Sequence, residues 1–163
     1  MPNADDAVEV TPACDRLARE AGSFSLDPAC VAEVGRILKT LSEKYPDLAR
    51  EQIETLGALA RRLVATPTDA EARTELYRIA HGLKGNAATL GYPLVTTIAA
   101  SLCALLDHEP TPRPRIQRAI AAHADALHLI IDQRLSGDGG AKGRELSRDL
   151  ALLLDKLTGS RAA

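Results

Sequence analysis

Aromatic side chains are nearly missing from this 163-residue chain: one phenylalanine, three tyrosines and no tryptophan, 2% in all. A core must then be assembled from Leu, Ala, Ile and Val, because hydrophobic residues still make up 45% of the sequence, enough for one domain. Leu and Ala are strong helix formers, so helix packed on helix is favoured. Cysteine is scarce as well. Cys14, Cys30 and Cys103 are odd in number, widely spaced and form no Cys-x-x-Cys pair, which argues against a zinc site or disulfide framework and for a reducing compartment. Neither charge sign dominates: 20 basic against 22 acidic residues leave a net charge of −2 and no basic excess for nucleic acid. No run approaches the roughly 20 apolar residues that span a bilayer. The Met-Pro-Asn-Ala-Asp-Asp start lacks the basic and apolar regions of a signal peptide. The expectation is a cytoplasmic protein that engages neither membrane nor nucleic acid.

What is present is helical periodicity. Residues 1–26 read equally as a flexible segment or as one with a short helix near Cys14–Ala21; 27–158 read as one helical domain and 159–163 as a tail. Asp27-Pro28 supplies a cap and a first-turn proline, and Val31, Val34, Ile37, Leu38 and Leu41 follow at helical spacing to about Glu43. Tyr45-Pro46-Asp47 is expected to break that helix. Four further helices are expected at about 46–65, 69–90, 92–107 and 113–135, forming an all-α, up-down antiparallel four-helix bundle. The N-terminal helix and one at about 144–157 are additions to it. Thr68 or Asp69 can cap the helix at 69–90, and Gly91 suits its end. The three prolines between His108 and Pro114 make a stiff connector, and Ser136–Gly143 reads as a flexible loop.

The helix at about 69–90 carries the main functional signal. Leu76, Ile79, Ala80, Leu83, Ala87 and Leu90 fall in one stripe, and His81 points roughly 160° from Leu83. Thr74, Tyr77, Arg78, Gly85 and Ala88 share its side, with Lys84 on the flank. An exposed imidazole with an ammonium one turn on can hold a phosphoryl group, since the lysine offsets part of its negative charge. Gly85 leaves room for a macromolecular partner to come close. Gly82 has no evident reason in sequence, though glycine costs about 1 kcal/mol in a helix interior.

Other constellations are weak. His108 reads as a helix-end cation. His123 and His128 lie about 140° apart around one helix, cannot share a metal, and are expected on the bundle surface or edge. Asp5, Asp6 and Glu9 read as a solvated tail, and Arg113, Arg115 and Arg118 as a solvated face. There is no Gly-x-x-x-x-Gly-Lys-Ser/Thr loop and no glycine-rich dinucleotide turn, so self-phosphorylation from ATP is not expected.

The run Ala80-His81-Gly82-Leu83-Lys84-Gly85, continued by Ala87-Ala88-Thr89-Leu90-Gly91, resembles the histidine-containing phosphotransfer (HPt) domain of bacterial two-component phosphorelays. The resemblance extends over about 46–107. It implies that His81 accepts a phosphoryl group from one receiver aspartate and relays it to another, and that Lys84 assists the phosphate. Tyr77, Arg78, Gly85 and Ala88 would meet the partner. Asn86 stands where the family commonly has a small Ser or Ala. Implied partners are receiver domains of hybrid histidine kinases and response regulators. The carrier itself would be a monomer with no cofactor, and magnesium would belong to the receiver. The competing expectation is an adaptor that uses the same face without phosphorylation.

Overall fold

The computed structural model describes residues 27–109 and 111–158, and these form five α-helices with no strand among them. They are α1 (Pro28–Ala65), α2 (Ala70–Asn86), α3 (Pro93–His108), α4 (Pro114–Asp132) and α5 (Gly140–Thr158). The chain divides into two units, Met1–Gly35 and Arg36–Ala163. Of the first, the described part is the exposed start of α1. The expectations for residues 1–26 and 159–163 lie outside the described residues.

The second unit holds the bundle. Its fully buried side chains include Ile53, Leu56 and Leu63 of α1, Leu76 and Leu83 of α2, Ile98, Leu102, Leu105 and Leu106 of α3, and Ile116, Ile120 and Leu127 of α4. Helices adjacent in sequence from α2 onward pack on one another, and α5 lies against both α3 and α4 through Leu150 and Leu157. This is an all-α bundle with an extra C-terminal helix.

The N-terminal addition is not a separate helix. The two helices expected at 27–43 and 46–65 run as one through Pro46. An interior proline removes a backbone hydrogen bond and costs about 3 kcal/mol. Burial offsets it here: Tyr45, Pro46 and Ala49 are all buried, and the Tyr45 ring packs on Tyr92 with centroids 5.0 Å apart. The same burial pushes the Tyr45 hydroxyl up to about 12, with Tyr92 adding to it. The apolar side chains that precede Tyr45 do not join the core; Ile37, Leu38 and Leu41 of the second unit and Val31 and Val34 of the first are exposed.

α2 starts at a cap made by Asp69, whose carboxylate accepts from the Ala72 N–H at 2.9 Å and from Arg62 Nε at 2.6 Å. The Ala72 hydrogen bond, with Arg62 helping, holds this carboxyl below its ordinary range. The helix ends at Asn86 rather than near Leu90, and the chain tightens into turns closed by Tyr92 N–H donating to Ala87 C=O at 2.9 Å. Gly91 adopts φ +83°, and a Cβ there would lie 2.7 Å from Ser42 Oγ. The stretch expected to be a flexible loop at 136–143 is a pinned turn. Gly137 N–H donates to Gly91 C=O at 2.8 Å, Asp138 accepts from Gly140 N–H at 2.9 Å and from Arg144 at 2.7 Å, and α5 begins at Gly140. Gly137, Gly139 and Gly140 all have positive φ, which permits the chain to turn this tightly.

His123, expected at the surface or edge, is instead fully buried. It follows Ile116 and Ile120 by seven and three residues and so falls on their inward face. Its Nδ1 lies 2.7 Å from the Ala119 C=O and its Nε2 2.8 Å from Ser101 Oγ. A carbonyl only accepts, so Nδ1 carries the proton and Nε2 accepts from the serine hydroxyl. His128 is exposed and pairs with Asp132 at 3.0 Å.

Burial lowers the His123 pKa in the fold, so the unfolded chain binds the extra proton first as pH falls. Its contribution to stability is complete above the ordinary histidine value of about 6.5 and declines as pH drops toward the lowered folded value. Urea denaturation from about pH 7 to about pH 5 should show stability falling, by at most about 1.4 kcal/mol per pH unit from this group. That component should disappear in His123→Leu. An identical pH slope in the variant would refute the assignment.

Candidate functional site

The stripe expected to face the core does so: Leu76, Ile79, Ala80, Leu83 and Ala87 are buried. Apart from the adjacent pair Ile79 and Ala80, each is three or four residues from the next, so the residues on the opposite side of α2 are turned to solvent. His81, Lys84, Arg78, Gly85 and Ala88 are exposed there, and Tyr77 is half-buried. The imidazole therefore stands outward on a helix whose other face is locked into the bundle.

The two flanks of His81 are unequal. On the α3 side, Tyr77 stacks on His81 with ring centroids 6.0 Å apart and planes 19° from parallel. The Asp107 carboxylate acts on the Tyr77 phenol and, with burial, raises its pKa. Burial also pushes the Cys103 thiol up, while the Lys84 ammonium opposes that and Asp107 adds to it. Tyr77 and Lys84 of α2 thus share a neighbourhood with Cys103 and Asp107 of α3. The last two were missed by sequence reasoning, because periodicity within α2 carries no information about the register of α3 against it.

On the α1 side the helix is bare. Gly82 borders a groove of about 220 Å³, lined also by Glu51, Gln52 and Thr55 of α1 and by Arg78 and Asn86 of α2. Arg78 is held by Glu75 through two hydrogen bonds, 2.8 and 2.6 Å, which fixes its guanidinium beside the groove. Nothing lies within 4 Å of where a Cβ on Gly82 or Gly85 would sit. Packing inside the chain therefore demands glycine at neither position. Their effect is to keep the surface beside the imidazole low. Among the described residues, no group of three or more His, Cys, Asp or Glu side chains could hold a metal ion.

Because Gly82 is helical and unhindered, Gly82→Ala should raise stability in urea by about 0.5–1 kcal/mol. Gly91→Ala should lower it by about 1–3 kcal/mol, since it combines a left-handed backbone with the approach to Ser42. If Gly82→Ala proves destabilising, an internal contact at that position has been overlooked.

Neither curated proteins nor solved structures give a match to this chain. The family model of the Hpt domain matches residues 40–137. That is more than half of the sequence, and it takes in the second half of α1, all of α2, α3 and α4, and the exposed histidine. A match of this extent, over a bundle that turns His81 outward, establishes that the chain belongs to the Hpt domain family of two-component signalling proteins.

Proposed function

We propose that this protein is a phosphorelay intermediate whose His81 accepts a phosphoryl group from the aspartyl phosphate of one receiver domain and passes it to the aspartate of another. One observation carries the reading: His81 is exposed in the C-terminal half of α2, on the side opposite the buried stripe, with Lys84 one turn away. The family's role in phosphotransfer supports it. In the forward step a ring nitrogen attacks phosphorus, the N–P bond forms, the acyl P–O bond breaks, and the receiver carboxylate leaves. Lys84 offsets part of the negative charge on the transferred group. Hpt domains are phosphocarriers without a catalytic site of their own, and the chain needs no cofactor in this scheme. The receiver supplies the magnesium and the remaining electrostatics.

The docking surface centres on His81 and includes Tyr77, Arg78, Gly85 and Ala88, together with the α1 residues that line the groove. A receiver loop could approach over the low surface that Gly82 and Gly85 leave. Hybrid histidine kinases upstream and response regulators downstream are the partners of this scheme, and the carrier works as a monomer. No described helix is long and apolar enough to cross a membrane. Among the described residues the free cysteines, Cys30 exposed and Cys103 buried, fit a reducing cytoplasm.

Incubation with a phosphorylated receiver should label the protein with acid-labile, base-stable phosphate. His81→Gln should abolish the label while leaving helical circular dichroism unchanged. Persistent labelling of that variant would displace the acceptor to another residue. A wild-type protein that binds receivers and never acquires phosphate would be an adaptor instead. Lys84→Ala should slow transfer about tenfold, equivalent to about 1.4 kcal/mol, without abolishing it. Unchanged single-turnover kinetics would remove the lysine from the mechanism.

A further inference from the structure

His81 is exposed, and a side chain in that setting ordinarily samples several rotamers, each carrying its nitrogens to a different place. Here one face of the ring is occupied. Tyr77 lies one turn before it, at the i, i+4 spacing that brings helical side chains together, with its ring 6.0 Å away and tilted by 19°. Tyr77 is itself half-buried between α2 and α3, so its ring is far less free than that of His81. Asp107, one of the last residues of α3, acts electrostatically on the Tyr77 phenol. The α3 helix is secured there in turn: Arg73 of α2 donates to the Leu106 C=O one residue before Asp107.

We infer that Tyr77 is a positioning residue for His81, its ring restricting the imidazole to a narrow range of orientations. The rate consequence rests on the phosphotransfer reading; the geometric one does not. An imidazole that begins near its attack orientation loses less freedom on reaching the transition state, so the limiting rate rises without tighter docking. The Asp107 charge opposes ionisation of the phenol, so the ring beside the imidazole stays neutral. Lys84, on the same flank, meets the phosphoryl group once the ring is set. The bare flank is left for the partner, and the furnished flank orients the nucleophile.

The test uses the full chain and two readouts. Without any partner, proton NMR of the His81 ring reports the stack directly, because the Tyr77 ring current displaces the His81 ring protons. Tyr77→Leu should remove that displacement and Tyr77→Phe should retain it. With a phosphorylated receiver at saturation, single-turnover transfer by Tyr77→Leu should show a limiting rate about three- to tenfold lower than wild type, whatever the loss of its docking contact does to half-saturation. Tyr77→Phe should restore most of the rate. A Tyr77→Leu protein with an unchanged limiting rate, or one altered only in half-saturation, overturns the inference, as does an unchanged ring shift. A wild-type protein that is never labelled refutes the phosphotransfer reading instead, and the ring-shift comparison still decides whether Tyr77 holds the imidazole.

Discussion

Burial of the α2 stripe is the constraint on which the rest depends. Leu76, Ala80, Leu83 and Ala87 are fully enclosed and Ile79 nearly so, and five such positions on three turns leave the helix no freedom to roll. Rotation by even one residue, about 100°, would drive a charged or polar side chain into the interior. The outward direction of His81 is therefore set by the side chains behind it. Asp69 fixes the start of the same helix and the turn through Gly91 fixes its end, so the imidazole is located along the axis as well as around it.

The parts legible in sequence are those governed by local periodicity. The inward stripe, the exposure of His81 and the capping role of Asp69 all follow from spacing and residue type within one helix. Pro46 was misleading because proline's local cost was weighed without the burial of Tyr45 against Tyr92, a contact across nearly fifty residues of sequence. The glycines at 137–140 suggested flexibility, whereas their positive φ values build a turn tied to Gly91. His123 is the instructive miss. Its place behind Ile116 and Ile120 marked it as inward, and the polar character of histidine obscured a position that Ser101 and the Ala119 carbonyl satisfy completely.

The surroundings of His81 divide in the same manner. Tyr77, Lys84, Gly82 and Gly85 belong to its own helix and could be found by counting residues. Asp107 and Cys103 come from α3, whose register against α2 is fixed by apolar packing over the whole helix pair. Likewise, Gly82 had no rationale until α1 supplied the opposite wall of the groove. Its missing side chain shapes a space between two helices, and such a space has no signature in either helix alone.

His81 is the one histidine that α2 turns outward, and this constrains the proposed relay. One ring on one helix face admits one visitor at a time, so the upstream donor and the downstream recipient exclude each other. Signal would then travel by departure and re-encounter, and its speed would depend on how promptly the first visitor leaves.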